Sequence, residues 1–478
     1  MDQPAAKTWK VGTLTYTRGQ LIQVFVWLLL GDFVLHLMDN GVVPTLVPLQ
    51  FQELSGSKTL YNLIAVTAVN LMYTVLVPIV STWSDRTRTP LGRRRPFLLY
   101  TAPLLALVLI LLGFSVNIAR WLQVQLPTWL GGYEVAAIAI VITSVLFVTF
   151  KLLDMFPQSV YYYLWPDVIP NELLGMFGAL FRVFYAAGSL FFNYFLIQIA
   201  KSHPEEIYIG SAVAYLVAFL LLVWRVKEPA YPPPPAPPAL LPGVAPQSRL
   251  SRFIGVVAQY FRDCFGHAFY WKYFLAMALF QCAYQPFIAN LIFFGQDVLG
   301  KTDADLATYG KILVVKDFLW IAIYLCLVPV MTKVHPLRAG LFGYAFMLSC
   351  AAGAFVFIQG PWTFGIFTVL TFVAVAIYLG GTAAIGPKLL PLEKYGQFAS
   401  AGAVVFRLSV ALVGVLAGVV FDYLGTRYVY AWLAFFLALG TAMMWLLYLE
   451  WKRLGGDESF QPPLSNGGAR GFEVAAKP

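Results

Sequence analysis

Charge is scarce in this chain. Only 12% of its 478 residues are Asp, Glu, Lys or Arg, about half the share of an ordinary soluble domain, and that shortage excludes a protein surrounded by water. Histidine and cysteine number four each. Cys264, Cys282, Cys326 and Cys350 fall in or beside apolar segments without C-x-x-C spacing, so neither a disulfide framework nor a thiolate metal site is read. There is no H-E-x-x-H pair, so a zinc hydrolase is excluded, and no cofactor is expected. No cleavable leader is expected: the N-terminus is short and polar, and the first apolar run, from about Leu21, exceeds a signal core.

What is abundant is apolar surface, with 60% hydrophobic and 16% aromatic residues and a mean hydropathy of +0.73. About twenty apolar residues cross a bilayer as a helix, and twelve windows of that kind occur, near 19–48, 59–82, 97–117, 134–157, 175–200, 207–225, 271–296, 308–332, 338–358, 362–386, 397–420 and 427–450. The fold class read from this is all-α and membrane-spanning. The expected organisation is a six-helix half over 1–225, a linker over 226–270, a second half over 271–450 and a tail over 451–478. A net charge of +9 points to no nucleic acid, because the positions of the cations explain it. With both termini cytoplasmic, 22 of the 32 Lys and Arg fall in inner segments and six in outer loops, as the positive-inside rule requires. Lys151, Arg182, Lys316 and Arg407 lie inside spans.

The linker opens Tyr231-Pro-Pro-Pro-Pro-Ala-Pro-Pro, an extended polyproline spacer because consecutive prolines lack donors. Beyond it Ile254, Val257, Phe261 and Phe265 recur at helical spacing beside Arg249, Arg252 and Arg262, the pattern of a helix lying on a membrane surface. The halves also repeat. Pro166, Pro170, Glu172, Gly175 and Phe177 recur as Pro387, Pro391, Glu393, Gly396 and Phe398, all at an offset of 221. Two like-oriented six-helix halves place a solute site between them near the midplane.

Between the second and third windows stands Ser84-Asp85-Arg86-Thr87-Arg88-Thr89-Pro90-Leu91-Gly92-Arg93-Arg94-Arg95-Pro96. It resembles the loop signature of the major facilitator superfamily, and its stretched form is similar to the sucrose:proton symporters and their glycoside-pentoside-hexuronide relatives. The resemblance implies that Asp85, Arg86, Gly92, Arg93, Arg94 and Arg95 form a latch at the inner helix ends, closed in the outward-facing state and released on switching. Two departures are visible: Ser81 stands where the family has a leading Gly, and the matching loop Thr332-Lys333-Val334-His335-Pro336-Leu337-Arg338 is degenerate.

Ionisable residues inside spans are costly and mark solute or ion paths. Asp32, His36 and Asp39 fall on one helix face at i, i+4 and i+7, with Asp39 close enough to the outer end to be simply hydrated. Asp154 lies near Lys151, and the resemblance pairs an Asp on span four with an Arg on span five, here Asp154 and Arg182. Lys316 and Asp317 are adjacent and so point about 100° apart. Arg407 completes the set. Gln281 and Gln285, with Tyr284, match sugar hydroxyls, and Tyr161, Tyr162 and Tyr163 offer flat faces. Span two carries Asn62, Asn70 and Tyr73 but no acid, unlike the sodium site of melibiose-type relatives. The expectation is a monomeric, non-enzymatic proton-coupled sugar symporter of a bacterial cytoplasmic membrane. Its partners are a small sugar, a co-transported proton and the bilayer. A carrier of another polar solute, a sodium-coupled carrier and a non-transporting sugar sensor remain as alternatives.

Overall fold

The computed structural model describes residues 8–231, 260–331, 333–391 and 394–463. A short hairpin, β1 (Trp9–Val11) and β2 (Leu14–Tyr16), precedes the first long helix, with Trp9 opposite Tyr16. Six long helices follow: α1 (Arg18–Leu54), α2 (Lys58–Arg86), α3 (Arg95–Gly113), α4 (Val135–Val168), α5 (Asn171–Ile199) and α6 (Pro204–Arg225). After the linker come α7 (Ala268–Leu299), α8 (Asp303–Met331), α9 (Pro336–Phe357), α10 (Pro361–Thr382), α11 (Tyr395–Tyr423) and α12 (Tyr428–Arg453). Eleven of these are long and apolar enough to cross a membrane. The other, α8, is 29 residues long and carries the charges Lys311, Lys316 and Asp317.

The apolar windows underestimated several helices. α4 was expected to stop near 157, yet it continues to Val168, because Pro157 opens a π turn that absorbs its missing donor instead of ending the helix. Residues 118–133 were read as loop, but Ser115–Gln125 is helical, with Trp121 and Val124 exposed. The polyproline spacer and most of the proposed surface helix, with Arg249, Arg252, Ile254 and Val257, lie outside the described residues. Residues 260–265 are helical, with Phe261 exposed.

The helices pack as two sets, α1–α6 and α7–α12, that meet along two seams, α2 against α11 and α5 against α8. Among the described residues the seams are tight at one end. Asp422, at the end of α11, accepts from the amides of Lys58 and Thr59 (2.9 and 2.8 Å) and from the Thr59 hydroxyl (2.6 Å). A carboxylate from one set thus caps the N-terminus of a helix in the other, where the helix dipole favours negative charge. Below it Asn62 and Asn290 exchange side-chain amide bonds of 2.9 and 3.0 Å, and Thr67 donates to the Ala411 carbonyl at 2.8 Å. A methyl added at Gly418 would stand 2.6 Å from Thr59 Cα, so the two helices touch through their backbones there. At the other end of the molecule, Gly175 and Gly178 of α5 and Gly396 of α11 face open space. The bundle is therefore a wedge, closed at the Asp422 end and parted at the end that carries the arginine-rich loop.

That loop binds its own set. The amides of Arg93, Arg94 and Arg95 donate to the Glu228 carboxylate at 2.9, 2.9 and 2.7 Å, which caps α3. In return the Arg95 guanidinium donates to the Val223 carbonyl at 2.8 Å, capping α6. Arg93 forks onto Asp167 at the end of α4 (2.7 and 3.1 Å), with the Tyr231 ring 4.1 Å from its guanidinium carbon. Arg94 reaches Asp85 at 2.7 Å and Ser84 at 2.5 Å. Four helix ends are tied together by forked, charge-assisted bonds. Arg86, expected in the latch, is exposed.

Gly92 is required by this clamp: its φ is +111°, and a Cβ there would meet the Glu228 carboxylate at 2.6 Å. Gly92→Ala is expected to cost about 1–3 kcal/mol through backbone strain and a weakened cap, read as a lower Tm in detergent, whereas Gly175→Ala, facing open space, should leave Tm unchanged. At the opposite end, Asp422→Ala removes one acceptor shared by several donors. Spin labels at Glu53 and Tyr423 should then report a longer distance in a substantial fraction of molecules; an unchanged distribution would mean that apolar packing alone closes that end.

Candidate functional site

Between the two sets lies a cavity of about 720 Å³, lined from α1, α2, α4, α5, α7, α8, α10 and α11. Four lining helices of the first set each widen into a π turn at the cavity: Leu37–Val42, Leu63–Ala68, Pro157–Tyr161 and Phe192–Leu196. Such turns disturb the regular backbone ladder and recur at functional sites. Here they present Asp39 and Asn40, Val66, Gln158 and Ser159, and Asn193 to the cavity. The wider turn also changes the angular step per residue, so Asp39 leaves the face that Asp32 and His36 share.

The first wall holds a three-way charge cluster. Lys151 Nζ reaches Asp39 Oδ1 at 2.7 Å and Asp154 Oδ2 at 3.4 Å, and the Gln158 amide also donates to Asp39. Asp154 is buried, and its Oδ1 has no hydrogen-bond partner among the described residues. Two carboxylates therefore share one ammonium. Of the two cations the sequence offers as partners for Asp154, Lys151, one turn away on the same helix, is the one in contact, and the pairing with Arg182 is not observed. Arg182 is exposed, makes no ion pair among the described residues, and stands 5.7 Å from the Tyr324 ring.

On the opposite wall Lys316 Nζ meets Asp317 Oδ1 at 2.7 Å. Both residues line the cavity, contrary to the expectation from their 100° separation, because the long lysine side chain folds back onto its neighbour. Asp317 Oδ2 accepts from Ser189 and Asn193 of α5, each at 3.1 Å, so this pair also spans the second seam. Arg407 lies 5.1 Å from the Tyr73 ring and 5.4 Å from the Phe406 ring. Its cation rests on aromatic faces, and the Tyr73 hydroxyl donates to the Lys151 carbonyl at 3.2 Å, joining α2 to α4 within the first set.

Gln281, Tyr284 and Gln285 line the cavity together, Gln285 donating to Gln281 at 3.3 Å. Asn290 and Asn62 lie outside it, paired with each other. Asp32 and His36 are buried behind its wall and do not line it. The tyrosine run offers no platform: Tyr161 is buried and donates to the Leu28 carbonyl at 2.5 Å, Tyr162 bonds His36 at 2.9 Å, and Tyr163 lies under Arg94 in the clamp. The flat faces in the cavity include Tyr73, Tyr185, Tyr284, Trp320 and Phe372, of which Tyr185, Trp320 and Phe372 were not singled out because aromatic residues fill every span. Asp167 and Glu228 of the clamp were also missed. Asp167 sits inside the repeat and Glu228 follows α6 by three residues, the positions from which an acid meets a helix-end arginine cluster.

The family model of the Major Facilitator Superfamily matches residues 28–414. Among solved structures, a bacterial homologue of the iron transporter ferroportin in an inward-facing state is similar at 12% identity, with 89% of this chain and 99% of that chain covered and a TM-score of 0.63. A point mutant of the nucleoside transporter NupG is similar at 11% identity, covering 89% and 100%, with a TM-score of 0.60. A bacterial homologue of the human lysosomal transporter Spinster, inward-facing and occupied, follows at 12% identity, 92% and 99% coverage and a TM-score of 0.59. No curated protein matches the chain. The matched span takes in the arginine-rich loop and most of both helix sets, and the chain belongs to the Major Facilitator Superfamily of membrane transporters.

Proposed function

We propose that this protein is a proton-coupled symporter of a sugar or glycoside, working by alternating access. The observation that carries the reading is the Lys151 cluster: two carboxylates on one ammonium in the cavity wall, one of them with an oxygen left unpaired. A proton taken by Asp154 leaves Lys151 wholly to Asp39, so a single protonation rearranges the wall the solute touches. The rest of the lining suits hydroxyls. Asn40, Asn70, Gln158, Gln281 and Gln285 supply amides, and Tyr284 and Trp320 supply flat faces. The likeness of the Ser84–Pro96 loop to the sucrose:proton symporters supports the same class.

The excess of Lys and Arg at the parted end makes it the cytoplasmic one by the positive-inside rule, so the wedge corresponds to an inward-open state. In the outward-open state the α2–α11 and α5–α8 seams part at the Asp422 end, and the parted end closes against the clamp. The clamp bonds stay inside one set, so it acts as the rigid edge that the other set swings toward.

Counterflow in proteoliposomes with labelled sugars and nucleosides, with and without a pH gradient, tests the reading. Flux of a sugar that responds to the gradient is expected; nucleoside flux alone would replace the solute class, and absence of flux with retained sugar binding would favour a sensor. Asp154→Asn should abolish uphill accumulation while leaving counterflow measurable. Uphill uptake equal to wild type would remove Asp154 from coupling.

Lys151→Gln leaves two acids unpaired in a span, which costs roughly 3–5 kcal/mol. The double variant Lys151→Gln with Asp39→Asn should therefore insert and survive heating better than the single. Equal yield and Tm of the two would show that the cluster is hydrated and not held together as an ion group.

A further inference from the structure

Behind the wall of the cavity, α1 carries a second ionisable pair. Asp32 is wholly buried and His36 nearly so. His36 Nε2 stands 3.2 Å from Asp32 Oδ1 and 2.9 Å from the Tyr162 hydroxyl. On the other side of the ring, Asn40 Nδ2 lies 3.1 Å from Nδ1. Neither oxygen of Asp32 completes a hydrogen bond among the described residues, while the imidazole stands directly beside Oδ1. The other titratable or charged groups that face the pair are Tyr161 and Tyr162 of α4, Arg182 and Tyr185 of α5, and Asp39 one turn along α1. A carboxyl buried without donors has no packing advantage over Asn or Leu, so its position calls for another account.

Asn40 supplies it, because this residue both touches His36 and lines the cavity. With the Asn40 amide donating to Nδ1, the imidazole hydrogen lies on Nε2, directed toward Asp32 and Tyr162. If Asn40 turns its oxygen toward the ring, a proton from the cavity binds at Nδ1. The Nε2–H bond then breaks, and its proton forms an O–H bond on Asp32 Oδ1. His36 ends neutral with its hydrogen on Nδ1, Asp32 ends protonated, and one proton has left the cavity. The pair changes from net −1 to neutral, the direction a low-dielectric interior favours.

We infer that Asp32 is a proton-holding site distinct from Asp154, filled from the cavity through His36 with Asn40 as its gate. The inference rests on the proposed coupling only for the proton's role in transport; the site titrates without any solute.

The test is infrared titration of the carboxyl stretch of the full chain in lipid nanodiscs, in H₂O and in D₂O. Asp32→Asn should lose one protonated-carboxyl band that Asp154→Asn retains. His36→Gln and Asn40→Ala should keep that band but slow its deuteration by about tenfold or more, the loss of a relay step. A spectrum of Asp32→Asn identical to wild type would overturn the site, and unchanged deuteration in both relay variants would overturn the route. Sugar flux without proton movement, with the band intact, would count against the symport reading and leave Asp32 standing.

Discussion

Placing an ion inside a span costs about 2.5–3.5 kcal/mol on insertion scales, and the interior of this protein is ordered by the ways that cost is offset. Lys151 is shared by Asp39 and Asp154, Lys316 lies on Asp317, and His36 stands beside Asp32. Arg407 and Arg182 rest on aromatic rings instead. Several of these groups are incompletely paired. Asp154 and Asp32 keep unpaired oxygens, and the arginines keep their forks free of carboxylates among the described residues. A wall of incompletely paired charge can rearrange when one proton or one solute hydroxyl arrives, which a fully paired wall cannot do.

The two ends of the molecule are held by different kinds of bond. At the arginine-rich end, Arg93, Arg94, Arg95, Asp167 and Glu228 join helices of one set, so the clamp stiffens that set without tying it to the other. At the Asp422 end the bonds run between sets, and they are of the type that water replaces easily: backbone amides at a helix terminus and hydroxyls near the surface. Deeper in the seam the close backbone approach at Gly418 removes side chains that would have to interlock. The seam is therefore tight and still separable.

The architecture was legible because bilayer thickness imposes a length on every apolar run, and because the Pro-rich break and the offset of 221 residues divide the chain in two. Composition also placed Asp154, Gln281, Gln285 and Arg407 on the spans that line the cavity. Direction within a span was less legible. Helical periodicity put Asp32, His36 and Asp39 on one face, but the π turn at Leu37–Val42 sends Asp39 into the cavity and leaves the other two behind it. Partnership was illegible where it depended on rotamers, as with Lys316 folding onto Asp317, or on tertiary approach, as with Glu228 reaching three amides of a distant loop.

These magnitudes bear on whether, under the proposed coupling, one proton suffices to turn the transporter. Reversing a two-state population from 1:99 to 99:1 takes about 5.5 kcal/mol of differential binding. The bonds that Asp422 accepts contribute about 1 kcal/mol net each, and the amide exchange between Asn62 and Asn290 adds a similar amount, so closure of that end is worth only a few kcal/mol beyond packing. A carboxyl whose proton affinity differs by two or three pK units between the two states supplies about 3–4 kcal/mol. The seam and the proton are thus of the same order. The cavity residues Ser189 and Asn193, which bind Asp317 across the α5–α8 seam, bring both effects to one place: loosening the cavity wall and loosening the seam are there the same event.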